Sequence, residues 1–346
     1  MVSSVNGTET KEKLRQQIGT DIVFTASDAA GLTREIIVDR QKNETSRVHF
    51  GTPDVDRYLI PFFPGDLTLI CGRPQNYKSG IMQTILHRTV DEIEQDERAM
   101  QECGVLVTWE VSVEKAAAYW LAVASKISTT EMLRGNVTVS QWEDLDLAVT
   151  QVSQKPFFIV GHSTKRSVDN RRRRPNLTTA NVDLALDYIM NDMGYDPRII
   201  TLDYLQRIPA ESDRMNHNEH IMRSVDWAKD LGLWAGCPTF LGTQADRRVD
   251  DYQVKMPKLR DSQWSSNAEQ SADFFISTHM PKTAGSVGKR LDFGEFEVDV
   301  TERVCVIAVA KQKDGPAGKL FPLYVEPEYL KMGDLDRNAV KRNGRQ

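Results

Sequence analysis

What this chain has little of already closes off several classes of protein. Its four cysteines, Cys71, Cys103, Cys237 and Cys305, stand far apart in 346 residues. No C-x-x-C pair offers a zinc ligand set, and the chain is too long for a small secreted domain held by disulfides. Each cysteine lies in or beside an apolar stretch, where a buried reduced thiol is the expected state. The six histidines show no metal-like spacing, and His217 and His220, in "NHNEH", have no other evident ligand beside them. No stretch approaches the roughly 18 consecutive apolar residues that a spanning helix needs. The N-terminus, "MVSSVNGTETKEKLRQQ", lacks the apolar stretch of a secretory leader. A cytoplasmic protein without a membrane partner is therefore the expectation. Positive charge is not in excess either: 44 Lys and Arg face 49 Asp and Glu, for a net charge of −5. Any nucleic-acid contact must use a local patch or a channel.

From Leu67 onward, short apolar runs alternate with helical stretches. The strand candidates are "LTLIC", "GVLVTW", "PFFIVG", "RIITLD", "PTFLGTQ", "DFFIST" and "VCVIAVA". Most lack polar alternation, as strands covered on both faces do. Between them lie "SGIMQTILHRTVDEI", "SVEKAAAYWLAVASKI", "TTANVDLALDYIMNDM" and "EHIMRSVDWAKDLGL". Ser112 and a threonine pair supply helix caps, and Gly232 suggests a helix end. This alternation predicts an α/β domain with a mostly parallel twisted sheet and flanking helices. "VCVIAVAK" and "KLFPLYVEP", around "KDGPAG", predict a C-terminal hairpin. Residues 1–45 are polar, with one helical candidate, "GLTREIIVDRQK", and read as an arm that docks elsewhere, on a neighbouring subunit for example. Residues 46–330 form the main domain, and 331–346 read as a polar, basic, frayed tail.

The most informative stretch is "LTLICGRPQNYKSGIMQTIL", an apolar strand, a turn and an apolar helix. Gly72, Lys78 and Ser79 fit the frame G-x-x-x-x-G-K-[ST], with Tyr77 where the second glycine belongs. That spacing alone is a weak signal, and an ordinary βα turn with an exposed lysine would also give it. In this strand–loop–helix setting, however, backbone N–H groups and a helix N-terminus converge on phosphate oxygens. Lys78 would reach the β- and γ-phosphates and Ser79 would ligate Mg²⁺. The loop Gly72, Arg73, Pro74, Gln75, Asn76, Tyr77, Lys78, Ser79, Gly80 is thus the candidate nucleotide cradle. Tyr77 keeps its N–H but adds a Cβ to a tight turn, so phosphate binding is strained and not forbidden.

Three further strands end in polar groups. Asp203, closing "RIITLD", would hold Mg²⁺ through its waters or simply cap a turn. Glu110, after "GVLVTW", would orient an attacking water. Gln244, closing "PTFLGTQ", would sense a γ-phosphate. Each has a bland alternative, but their common position at strand ends favours a shared site.

In this order the motifs resemble the C-terminal RecA-like motor domain of DnaB-type replicative helicases, over about Ser46 to Pro327. "FGTPDVDRYLIPFFPGDLTLICGRP", "TWEVSVEKAAAYWLAVAS", "IITLDYLQR", "LRDSQWSSNAEQSADFFI" and "AVAKQKDGPAGKLFPLYVEP" carry the likeness, "DYLQ" most specifically. The resemblance implies a RecA-like P-loop NTPase core and a hexameric ring. ATP would lie between subunits, with single-stranded DNA in the middle, and a loader or primase is a further partner the family implies. It places Lys78, Ser79 and Asp203 on Mg·ATP, Glu110 as the catalytic glutamate and Gln244 as the sensor. Lys311 and Lys313 would reach the neighbour's ATP, and Arg260, with Lys258 nearby, would touch the DNA backbone. Lys313 stands where the family has an arginine finger, keeping the charge without the planar fork, so slower hydrolysis is expected. Tyr119 replaces an arginine near the base and could stack on adenine. A compact member without the family's separate N-terminal domain, of the kind a phage or mobile element carries, is expected.

Other features stay open. Arg171 to Arg174, in "KRSVDNRRRRP", either bind phosphates or form a solvated loop. Trp264 either stacks on a base or packs its own loop. The competing functional reading is a RecA-fold ring or regulatory subunit with a degenerate nucleotide site. A third is a RecA- or KaiC-like ATPase acting on protein or recombination intermediates.

Overall fold

The computed structural model describes residues 24–42, 48–165, 176–210, 215–252, 254–261 and 270–342. The Arg171–Arg174 cluster and Trp264 fall outside these residues. Two units are separable, residues 1–47 and 48–346. In the first, helix α1 (Ala26–Lys42) begins before the expected Gly31, because Thr25 and Asp28 exchange hydrogen bonds that cap its start.

The second unit is built on the expected parallel sheet. Its strands are β1 (Leu67–Gly72), β2 (Glu102–Thr108), β3 (Phe157–Val160), β4 (Asp196–Asp203), β5 (Thr239–Gln244) and β6 (Phe274–His279). All pairs among these six are parallel, in the order β6-β1-β5-β4-β2-β3. The expected hairpin, β9 (Val304–Gln312) and β10 (Lys319–Glu326), adds antiparallel to β6. β1 alternates as a doubly covered strand must. Leu67, Leu69 and Cys71 join the core on one face, and Ile70 joins the other.

Around the sheet lie α2 (Pro53–Asp56), α3 (Lys78–Gln95), α4 (Val113–Ser125), α5 (Thr129–Arg134), α6 (Val139–Ser153), α7 (Thr179–Asp187) and α8 (His217–Ala235). Ile81, Met82, Ile85 and Leu86 of α3, with Trp120 of α4, fill one face. Trp120 stacks on Phe157 at 3.8 Å, which fastens α4 to the β3 edge. Val182 and Leu186 of α7, with Val225 and Ala228 of α8, fill the other. Helix α8 runs past Gly232 to Ala235 and is closed by Gly236 at φ 66°. Gly232 serves close packing instead, since a Cβ there would lie 2.9 Å from the Cys237 carbonyl.

The frayed-tail expectation is corrected. β11 (Lys331–Asp334) pairs with β10 and extends the large sheet to nine strands, so the main domain does not stop at residue 330. β12 (Val340–Arg342) joins β7 (Arg290–Asp292) and β8 (Phe296–Asp299) in a second, three-stranded sheet. Polar composition hid these strands because their partners are distant in sequence. All four cysteines are free and buried, as expected. Burial pushes Cys71, Cys103 and Cys305 up to about 12, so they remain thiols. No helix among the described residues is long and apolar enough to cross a membrane.

Candidate nucleotide site

Parallel strands place all their carboxyl ends on one edge, which is where ligands of open α/β sheets sit. Gly72 and Gln244 are partners at the last step of the β1–β5 ladder, and Thr108 and Asp203 at the last step of β2–β4. A cleft of about 610 Å³ opens there. Its walls include Pro74 to Gly80, Glu110, Tyr119 and Gln244. A hollow of about 670 Å³ elsewhere is lined by Arg57, Tyr58, Lys319 and Phe321 and contains none of the expected site residues.

The loop enters α3 through Tyr77, at φ 63° and ψ 22°. The left-handed conformation that a glycine would adopt freely is thus kept by a tyrosine, at roughly 1–2 kcal/mol. Burial offsets that strain. The Tyr77 ring is 8% exposed and lies over Gly80, where a Cβ would come within 2.0 Å of Cε2. Its hydroxyl is 3.3 Å from Thr84 Oγ1. The glycine missing at position 77 therefore has a counterpart at 80, which makes room for the ring.

Helix α3 starts without a side-chain cap, whereas α4, α7 and α8 are capped by Ser112, Thr178 and Asn216. Its first N–H groups face the cleft end of the loop, the arrangement that suits an anion. Lys78 Nζ donates to the Arg73 carbonyl at 3.2 Å, and burial lowers its pKa. Ser79 Oγ donates to Asp203 Oδ1 at 3.0 Å. Asp203 is 3% exposed, and burial raises its pKa to about 6, with the nearby Glu110 charge adding to the rise. A buried carboxylate so poorly compensated, touching a hydroxyl beside a phosphate loop, fits a Mg²⁺ site. Glu110 is exposed on the cleft wall.

Asn76 fixes the loop from behind. Its side chain is buried, and Oδ1 accepts from Met280 N at 2.7 Å and from His279 Nδ1 at 3.1 Å. Nδ2 donates to Pro74 O, and the Asn76 carbonyl accepts from Thr278 Oγ1 at 2.8 Å. Burial, with the Lys255 charge, pushes His279 down to about 4, so this imidazole is neutral near pH 7. On the other side, Arg73 forms a fork on Asp250 and also donates to Ala245 O. Gln206, the glutamine of "DYLQ", accepts from Gln244 N at 3.3 Å and donates to Thr243 Oγ1, which holds the end of β5 in place.

Not every expected residue comes to the cleft. Lys311 and Lys313 sit at the opposite edge of the sheet. Lys311 Nζ donates to Ala272 O at 2.5 Å, and Lys313 Nζ is 3.5 Å from Asp273. Neither can serve the nucleotide cleft of its own chain. Lys258 and Arg260 are exposed in the segment between β5 and β6, which buried Asp261 organises by accepting from Tyr252 Oη and Lys258 N. His220 Nε2 lies 2.9 Å from Ile208 O, and no group of three or more His, Cys, Asp or Glu among the described residues could hold a metal. Sequence reasoning missed Gln83, Met280, Lys282, Pro327 and Leu330 of the cleft wall. Only Gln83, a lone amide within the apolar run "IMQTIL", carried a visible signal.

Comparison with known proteins gives a consistent picture. The family model described as "DnaB-like helicase C terminal domain" matches residues 48–334. The Rickettsia felis protein "Replicative DNA helicase DnaB" is 23% identical over 96% of this chain and 66% of its own length. This chain thus spans just under two thirds of that relative. Among solved structures, an ATPase domain determined on its own aligns with a TM-score of 0.71 at 17% identity, covering 91% of this chain and 100% of that one. A DnaB-like replicative helicase, described with its interactions with primase, aligns at 0.68 and 17% identity over 97% of this chain and 73% of that one. At such identities these structures speak for the fold, which is the RecA-like α/β architecture expected.

Proposed function

The chain belongs to the DnaB-like helicase C-terminal domain family, and from that premise we propose that it is an ATP-driven translocase on single-stranded DNA, working as a ring, with six subunits as the family implies. The observation that carries this reading is the gathering of five separately supplied groups in one cleft. These are the uncapped start of α3, Lys78, the Ser79–Asp203 pair, Glu110 and Gln244.

The loop N–H groups and Lys78 hold the β- and γ-phosphates. Ser79 and Asp203 hold Mg²⁺, which bridges phosphate oxygens and neutralises the charge that develops on them. Glu110 orients the attacking water, and Gln244, braced by Gln206, hydrogen-bonds the γ-phosphate. Tyr119 offers an aromatic face to adenine. Lys311 and Lys313 act on the neighbouring subunit's nucleotide, a role consistent with their distance from the local cleft. Lys258 and Arg260 contact the DNA backbone, and Arg73, through Asp250, ties their segment to the phosphate loop.

The test is hydrolysis and binding by Glu110→Gln. Mg·ATP binding should stay within about twofold, while DNA-stimulated turnover falls at least roughly 100-fold. Equal turnover in variant and parent would reject the role of Glu110. The second reading, a ring or regulatory subunit with a degenerate site, is favoured by Tyr77 and by a lysine at position 313. A parent protein that assembles but hydrolyses no ATP, with or without single strands, would select it.

A further inference from the structure

Gln83 is out of keeping with its surroundings. It lies in α3 among Ile81, Met82, Ile85 and Leu86, all fully buried, and is itself only 4% exposed. Yet it lines the nucleotide cleft, and its Oε1 is buried with no hydrogen-bond partner among the described residues. The polar groups just before it are engaged: Tyr77 Oη with Thr84, Lys78 Nζ with Arg73 O, Ser79 Oγ with Asp203. A buried carboxamide oxygen left without a donor is unfavourable, and native proteins seldom retain one without a use.

Its place suggests that use. Ser79 and Gln83 are one helical turn apart, about 6 Å along the axis. With phosphates at the first turn of α3, the nucleoside half of the ligand must occupy another part of the same cleft. That part has Tyr119, Met280, Pro327 and Leu330 to offer, mostly apolar or aromatic surface. Gln83 supplies an unpaired acceptor beside it. We infer that Gln83 is a specificity-determining residue whose carboxamide oxygen accepts a hydrogen bond from the nucleoside, given by a ribose hydroxyl or by the exocyclic amine of the base. The inference rests on the nucleotide reading above and assigns the other half of the same ligand.

A structural rival exists within the protein. Trp120 Nε1 is also buried and unpartnered among the described residues, and its ring lies 4.7 Å from that of His87, one turn beyond Gln83 on α3. If Gln83 serves that indole instead, it packs the helix and ignores the ligand. The two accounts differ in an equilibrium binding series.

Titration calorimetry with Mg²⁺ would compare ADP, 2′-deoxy-ADP, 3′-deoxy-ADP and purine riboside diphosphate, which lacks the 6-amino group. In the parent, the analogue without the recognised donor should bind roughly three- to tenfold more weakly than ADP. In Gln83→Met that analogue and ADP should bind equally, and the nucleotide-free variant should melt no lower than the parent. A hydroxyl-deficient analogue showing the loss identifies the ribose, and the amine-deficient one identifies the base. Analogues that all match ADP in the parent, or a loss that persists in Gln83→Met, would overturn the assignment and leave Gln83 to Trp120. Gln83→Leu provides a second apolar replacement if methionine does not fold, and the parent series needs no variant. Failure of the underlying reading looks different, because the parent would then bind no ADP at all.

Discussion

Two buried aspartates lie at opposite edges of the same sheet. Asp203 ends β4 beside the phosphate loop, and Asp273 precedes β6 at the far edge. Both lie almost entirely out of water. Burial pushes both carboxyls up, but only Asp273 meets enough opposition to end below its usual value. It accepts from Lys229 Nζ at 2.5 Å and from Leu67 N at 2.9 Å, with Lys313 at 3.5 Å. Asp203 has one hydroxyl and ends near 6. One carboxylate is satisfied by its own chain and acts as a structural clasp. The other lacks compensation in the free protein, and a bound cation would supply it.

Removing the clasp should have the larger effect. Asp273→Ala leaves two lysines and the Leu67 amide without their acceptor, and should destabilise the fold by about 3–4 kcal/mol in denaturant unfolding near neutral pH. Because the folded carboxyl lies below its unfolded value, that contribution is complete above the unfolded pKa and is lost as pH falls through the folded one. The parent–variant gap should therefore narrow in acid. Asp203→Asn should do the reverse. With the folded pKa near 6 and an ordinary value of 3.8, ionised Asp203 costs stability as pH rises between those values. The amide should thus raise the melting temperature of the nucleotide-free protein at pH 7–8, by at most about 3 kcal/mol, with no gain below pH about 4. The same change should abolish stabilisation by Mg·nucleotide. A destabilised Asp203→Asn at neutral pH would erase the contrast between the two residues.

A smaller effect sharpens it at the loop. Gly80→Ala drives a methyl into the Tyr77 ring and should cost about 1–2 kcal/mol in thermal unfolding. In a Tyr77→Gly background the same alanine should cost much less. Additive penalties would mean that the ring and Gly80 do not compensate one another.

Much of this was legible in the sequence for a definite reason. Strands covered on both faces are continuous apolar runs, so the β1–β6 core could be read directly, and each polar residue ending a run stood out. Helices α5 and α6 could not be read this way. Val139, Trp142 and Leu147 are exposed and Ala148 is the buried residue of α6, so apolar spacing there does not report burial. Strands β7, β8, β11 and β12 are three or four residues long, and only long-range pairing makes them strands. At the site, residue types and order were readable, but compensation was not. That Gly80 accommodates Tyr77, that Gln206 braces Gln244, and that Lys311 and Lys313 lie far from the local cleft are facts of three-dimensional placement.

Asn76 is held on several sides, by Pro74, Thr278, His279 and Met280, before any ligand arrives. The entropy of ordering the cradle is therefore spent during folding, and little remains to be lost when a triphosphate enters. Entry then resembles docking into a finished mould, and the free energy released by the phosphates stays available for moving one subunit against the next.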